Sequence, residues 1–327
     1  MVKPVNDGSI GRAHSKLILI GEHAVVYNEP AIALPFDAVS VMAKIRRKAG
    51  NIQFNSRFYK GDLEDMPEKM QGLVTCVKGV CKKLKKKAVD FDIDLESTIP
   101  IGRGLGSSAA IAVALVRGLY KYFQVELQRE TLMDFVDLAE QHAHGTPSGI
   151  DREATSREHP IWFVKDQPVD IVKIKQPLHL IVADTGRIGD THSAVDSVKA
   201  LYQTDHLNTR KRIEALGTLT KKARESMESG DLIKLGETLN QAHFELKALG
   251  VSDPGLDHYV EVSQASGALG AKLTGGGRGG CMIALADSID NAREIEKALQ
   301  SAGASETWYC QITNEVMDFE SQSTRTH

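Results

Sequence analysis

The sequence predicts an α+β protein of two domains, on three observations. Its 327 residues exceed one domain of ordinary size and correspond to about two. Short apolar runs of strand type, Lys16 to Ile20 and Leu178 to Asp184, alternate with segments whose apolar residues recur at helical spacing. A loop punctuated by Pro168 and Pro177 separates the halves, so the expected domains are 1–175 and 176–327.

Taken in order, KLILI at 16–20 reads as a buried strand and Ala38 to Lys48 as a second one. Leu73, Val77, Val80 and Leu84 then mark one face of a helix. The lysines that end it could form an anion or membrane patch, but cations at a helix C-terminus also complement its dipole, and that reading is favoured. Phe91 to Glu96 alternates like a half-exposed strand. A helix carries Ile111, Leu115, Leu119 and Tyr122, and a further one begins near Thr131, where Thr131-x-x-Asp134 resembles a capping box, and stops at Gly145-Thr146-Pro147. Residues 192–249 read as helix broken at Gly217 and Gly230, followed by a glycine cluster, the strand CMIALA and a final helix and strand. The last ten residues are polar and read as frayed.

Apolar residues at 42% and charged residues at 25% exclude a disordered or collagen-like chain. With 40 Lys plus Arg against 43 Asp plus Glu, no basic footprint for nucleic acid exists, and no nucleic-acid partner is expected. Nothing approaches the roughly 18 apolar residues of a membrane span, and MVKPVNDGSIGRAHSK lacks an apolar signal core. A cytoplasmic protein without membrane association is expected. Cys76, Cys81, Cys281 and Cys310 are too few for a disulfide scaffold and read as reduced, packed thiols. Oligomeric state stays open, a homodimer included.

Chemistry is written most densely in PIGRGLGSSAA at 100–110. Alternating glycines let backbone N–H groups approach a ligand, and the following helix turns its positive end toward it. Ser107 and Ser108 could cap that helix or reach a metal ion travelling with phosphates. Capping alone does not need three glycines, so phosphate binding is favoured. The loop lacks the Gly-Lys-Ser/Thr ending of a P-loop, and the chain has no protein-kinase signature. Gly275, Gly277 and Gly280 spell G-x-G-x-x-G but precede an apolar strand rather than a helix, which excludes a dinucleotide fingerprint.

In EQHAHGTPSGID at 140–151, Glu140 lies at the edge of a buried helical stripe. A buried carboxylate needs a partner, and either an ion pair or a Mg²⁺ ion shared with Ser108 would serve. Asp151 follows a Pro-Ser-Gly turn that could present its carboxylate to a substrate. His142 and His144, two apart on a helix, face different ways and do not make a zinc site. Lys16 in an apolar strand calls for an anion, and Glu22 and His23 follow a glycine turn where polar groups can line a pocket.

In chain order GEHAVVY, PIGRGLGSSAA, HGTPSGID and KLTGGGRGGC resemble the motif set of the GHMP kinases over nearly the whole chain. His23 directly after Glu22, the E-x-x-x-H-G-x-P-S-G-x-D stretch and the length are most similar to the branch acting on mevalonate. The resemblance implies an N-terminal α/β domain and a C-terminal ferredoxin-like domain, with the active site in the cleft between them. It implies ATP-dependent phosphorylation of the 5-hydroxyl of mevalonate in isoprenoid precursor biosynthesis, with phosphomevalonate kinase or another small-molecule GHMP kinase as the alternative. By motif position Gly102, Gly104, Leu105, Gly106, Ser107 and Ser108 would wrap the ATP phosphates, and Ser108 with Glu140 would hold Mg²⁺. Asp151 would take the hydroxyl proton, Lys16 would lower that hydroxyl's pKa, and Glu22, His23 and Thr191 would contact mevalonate. Gly275 to Gly279 would brace the phosphate region. Arg103 and Arg278 depart from the family pattern, and either could reach a phosphate or point to solvent.

Overall fold

The apolar run at 16–20 is the tail of a longer strand, β1 (Gly8–Ile20), which pairs antiparallel with β2 (Ala31–Arg47). Both extend beyond their apolar stretches because each supplies hydrogen-bond partners for the backbone of the other's polar residues. The structure is a computed structural model that describes residues 8–144 and 149–315, the side chains of 142–144 excepted. Further along come β3 (Gln53–Asn55), β4 (Lys60–Asp62), α1 (Gln71–Lys83), β5 (Phe91–Ser97), α2 (Ser107–Tyr122), α3 (Arg129–His144), α4 (Ile150–Thr155), β6 (Ile161–Phe163) and β7 (Asp170–Ile171). The first sheet has the order β4-β3-β5-β2-β6-β7 with β1 beside β2.

The second half contains β8 (Leu178–Asp184), α5 (Thr191–Thr204), α6 (His206–Ser229), α7 (Leu232–Ala248), α8 (Pro254–Ala265), β9 (Gly270–Thr274), β10 (Cys281–Ala286), α9 (Ile289–Ser301) and β11 (Glu306–Ile312). Its antiparallel sheet has the order β11-β8-β10-β9. Counted within this half, the order is fourth, first, third, second strand, the ferredoxin-like arrangement the resemblance implies. The glycine cluster runs into β10 and not into a helix, as the exclusion of a dinucleotide fold requires.

Two expectations need correction. Gly217 does not break a helix: it lies inside α6, where its missing side chain leaves room for the Glu29 carboxylate. The break falls at Asp205 instead. Helix α3 begins before Thr131, because the Leu132 N–H already donates to the Gln128 carbonyl, so Thr131 belongs to the first turn. The Gly145-Thr146-Pro147 stop and the polar last ten residues lie outside the described residues. Lys82 and Lys83 occupy the last turn of α1 as its dipole favours.

One apolar core runs through both halves. A smaller cluster of Ile18, Val25, Ala31, Ala33, Ile150, Ala154, Ile161 and Phe163 seats α4 on the first sheet. All four cysteines are buried and free, and among the described residues no helix is long and apolar enough to cross a membrane. Helix α2 rests on β1 almost backbone to backbone: a Cβ on Gly11 would come within 2.8 Å of Gly118 Cα, and one on Gly118 within 3.2 Å of the Ala43 carbonyl oxygen.

That contact generates a prediction. Gly11→Ala forces α2 away from β1 and should destabilise the protein by about 1–3 kcal/mol, the usual cost of overpacking. Thermal unfolding with an unchanged midpoint would refute the close approach.

Candidate active site

The site begins where β1 loses its regularity. Its register with β2 shifts between His14 and Ser15 and again between Ile18 and Ile20, and between the shifts Lys16 stands opposite Pro35, which has no N–H to give. Donors of β1 turn to a loop instead: the Lys16 N–H (3.3 Å) and the Ser15 hydroxyl (2.6 Å) both donate to the Leu105 carbonyl. Such irregularities re-aim side chains. Lys16, only 2% exposed, places Nζ 3.0 Å from Asp151 Oδ1. Asp151 sits in the first turn of α4, entered through Gly149 in the left-handed region at φ 88°.

Leu105 belongs to the glycine-rich loop. Gly102, Gly104 and Gly106 have φ of 69°, 75° and 71°, so alternate residues are left-handed, the kind of backbone that builds anion-binding concavities. Gly106 is the N-cap of α2 and no side chain caps this helix, so the capping reading of the serines is set aside. Ser107 and Ser108 lie half-buried in its first turn. A Cβ on Gly106 would lie 2.9 Å from Lys16 Cγ, and one on Gly104 would lie 3.3 Å from Gly275 Cα. The loop is thus pinned between β1 and the second glycine cluster. Glu140 is buried on α3, which packs against α2.

Glu22 and His23 meet the second half of the chain. His23 Nε2 donates to the Gly276 carbonyl at 3.0 Å, since a carbonyl can only accept. Gly276 in turn abuts Thr191 at the start of α5: a Cβ there would lie 2.7 Å from Thr191 Cα. The Glu22 carboxylate accepts a hydrogen bond from Lys272 Nζ through Oε1, and both residues are buried. Ile18 and Thr274 exchange two bonds, the Thr274 hydroxyl donating to the Ile18 carbonyl at 2.8 Å and accepting from its N–H at 3.2 Å. Glu22 Oε2 and His23 Nδ1 are buried without a hydrogen-bond partner. Burial pushes the Glu22 carboxyl up against the opposing pull of Lys272, and pushes Lys272 down against the pull of Glu22. Burial lowers His23 from 6.5 to about 4.

The structure brings Lys16, Asp151 and the 102–108 loop together, joins His23 and Thr191 through Gly276, and binds Glu22 to Lys272 instead. Neither arginine points to solvent. Arg103 is engaged by the Asp184 carboxylate at 2.8 Å and the Gly186 carbonyl at 2.9 Å, and Arg278 by the Ser193 and Ser197 hydroxyls at 3.0 and 2.8 Å. Each fastens a glycine loop to a neighbouring element. Sequence reasoning missed Lys272 and Thr274, although a lysine inside a buried strand was the signal that singled out Lys16. The side chains of His142 and His144 lie outside the described residues, and among the described ones no group of three His, Cys, Asp or Glu side chains could hold a metal ion.

Family models match in both halves: GHMP kinases N terminal domain over 73–155 and GHMP kinases C terminal over 223–305. Mevalonate kinase of Pyrococcus horikoshii is 32% identical over 317 residues, covering 90% of this chain and 92% of the relative. The crystal structure of L. major mevalonate kinase in complex with R-mevalonate superposes with a TM-score of 0.84 at 26% identity, covering 97% of this chain and all of the other. Mevalonate kinase from methicillin-resistant Staphylococcus aureus gives 0.69 at 33% identity, covering 93% and 99%.

The buried imidazole generates a pH prediction. Unfolded chains protonate His23 near 6.5 and the folded chain only near 4, so its contribution to stability is present above 6.5 and is lost as pH falls toward 4. Crossing the whole window should cost about 3 kcal/mol. The His23 ring resonances in NMR should keep their neutral positions down to about pH 5; titration at the ordinary histidine value would mean that the ring is solvated.

Proposed function

This chain belongs to the GHMP kinase family, and from that premise we propose that its cleft transfers the γ-phosphoryl group of ATP to the 5-hydroxyl of mevalonate. The products are 5-phosphomevalonate and ADP, in isoprenoid precursor biosynthesis in the cytoplasm. The two domains divide between residues 175 and 176, where the chain leaves one sheet for the other, and the substrates lie between them.

The observation that carries this reading is the Lys16–Asp151 pair, 3.0 Å apart, seated against a left-handed glycine loop at the N-terminus of α2. Phosphoryl transfer asks mainly for positioning and charge neutralisation. Backbone N–H groups from Gly102 to Ser108 and the positive end of α2 receive the phosphates. Asp151 takes the proton of the substrate hydroxyl as general base, while Lys16 holds that carboxylate in place and stabilises the alkoxide as it forms. Glu22, His23 and Thr191 line the mevalonate end, where the unpartnered Glu22 Oε2 and His23 Nδ1 are acceptors for substrate hydroxyls.

A hydroxyl and a buried carboxylate, Ser108 and Glu140, offer hard oxygen ligands of the kind Mg²⁺ prefers when it arrives with phosphates and needs only one or two protein donors. Bound there, Mg²⁺ would supply positive charge against the polyphosphate. Phosphomevalonate as substrate is the weaker reading, because a second phosphate would want uncommitted cations at that end, whereas Lys16 and Lys272 are each engaged by a carboxylate.

With ATP and Mg²⁺ supplied to the purified protein, mevalonate should give the highest kcat/KM of a panel with phosphomevalonate, galactose and homoserine, read as ADP release. A higher value for phosphomevalonate would move the chain to another branch of the family. Asp151→Asn should lower kcat by about 10²- to 10⁴-fold, or roughly 3–5 kcal/mol, with little change in ATP affinity; it also leaves the buried Lys16 without its anion, so the thermal midpoint should fall as well. A loss of only a few-fold would remove Asp151 from the role of base.

A further inference from the structure

Lys272 has no part in the reaction as described, yet it is among the most deeply buried charges in the chain, with no exposure at all. It projects from β9 and donates to Glu22 Oε1 and to the Leu273 carbonyl, the latter at 2.5 Å. Lys272 and Glu22 are 250 positions apart, Lys272 in a strand of the second sheet and Glu22 in the turn that follows β1 of the first. Stability does not account for such a pair, since replacing buried ion pairs by packed apolar groups is often neutral or stabilising. Stitching the sheets together does not account for it either, because Thr274 with Ile18 and His23 with Gly276 already do so. What the pair alone achieves is asymmetry in one carboxylate: Oε1 is occupied by Lys272, and Oε2 is buried without a partner.

We propose that Lys272 is a positioning residue, which acts through Glu22 by holding it in a single orientation with Oε2 presented as an acceptor to a hydroxyl of the substrate. The proposal rests on the mevalonate reading above and adds a residue to it. Charged groups facing the pair are few. Lys16 reaches Glu22 through its field from β1, His23 stands next in the turn, and His243 on α7, itself bonded to Asp257, feels Lys272. Both histidines are held below the ordinary value by burial, so they are neutral near pH 7. Without Lys272, the burial that already raises the Glu22 carboxyl would be opposed from a distance by Lys16 alone among these groups, and Glu22 would hold its proton to higher pH than in wild type.

The test uses the full chain and three variants, Lys272→Met, Glu22→Gln and the double variant. Lys272→Met should raise KM for mevalonate about tenfold or more, the loss expected for a charged acceptor, with KM for ATP nearly unchanged. Its kcat/KM for mevalonate should gain a rise with pH that wild type lacks. Infrared spectra over a pH series should show a protonated carboxyl band in Lys272→Met that persists to higher pH than any in wild type and vanishes in the double variant. The double variant should be no worse than Glu22→Gln, and Lys272→Arg should restore part of the affinity. Folded Lys272→Met with unchanged KM for mevalonate and no new carboxyl band overturns the proposal, as do additive effects in the double variant or equal rises in both KM values. Wild type failing to phosphorylate mevalonate would instead overturn the substrate reading; the infrared comparison, which needs no substrate, would still decide the role of Lys272.

Discussion

An ammonium group in the interior of a sheet must have an anion within reach, and the cleft is arranged around meeting that demand at Lys16. Its side chain lies along Gly106, where any Cβ would collide with it, so the glycine loop can close only over a position without a side chain. Its head needs Asp151, which fixes where α4 starts. Its own N–H leaves the strand ladder for Leu105. One residue therefore sets the distance between strand, loop and carboxylate, and a displacement of any of the three breaks a contact with the other two.

The opposite wall repeats this solution with Lys272 and Glu22, a pair that, unlike Lys16 and Asp151, joins the two halves of the chain. Between them the glycine loops meet at Gly104 and Gly275, where a Cβ on either would press on the other's Cα at 3.1–3.3 Å. The polar bonds described along this seam are buried, and each joins β1 or the turn after it to β9 or the glycine loop that follows. Water cannot replace them without entering the core that the halves share. Such a seam preserves the geometry of acceptors and donors before a substrate arrives, which is what positioning catalysis requires.

Local pattern made much of this legible. β8 and β10 have the bounds expected from their apolar runs, Leu178–Asp184 and Cys281–Ala286, because a strand buried on both faces has nothing polar to blur its ends. Lys16 was readable because an apolar strand makes a lysine conspicuous. Features that depend on a partner far along the chain were not readable. Gly217 looks like a helix break until Glu29 is seen to occupy the space beside it. Arg103 looks available for phosphate until Asp184, 81 positions away, is found at its guanidinium. Lys272 was overlooked because the glycines that follow it drew the functional reading, and nothing local identifies Glu22 as its partner.

The fate of the cations bears on how phosphate charge is met. Around the cleft Lys16 is paired with Asp151, Lys272 with Glu22 and Arg103 with Asp184, while Arg278 is spent on two serine hydroxyls. Three of these four charges are neutralised by carboxylates, and the fourth serves to fasten a loop. Freeing any of the three for a phosphate would leave a carboxylate uncompensated, in the Glu22 case within the core, at a cost of several kcal/mol. On the proposed reading, triphosphate charge would fall chiefly on groups with no such commitment: the N–H donors of the left-handed loop, the end of the α2 dipole, and a cation that the nucleotide would bring with it. Protein cations here set geometry, and on the proposed reading the loop and an ion arriving with the nucleotide would supply the field, so a chain with net charge −3 would not need uncommitted cations at the cleft to bind a polyanion.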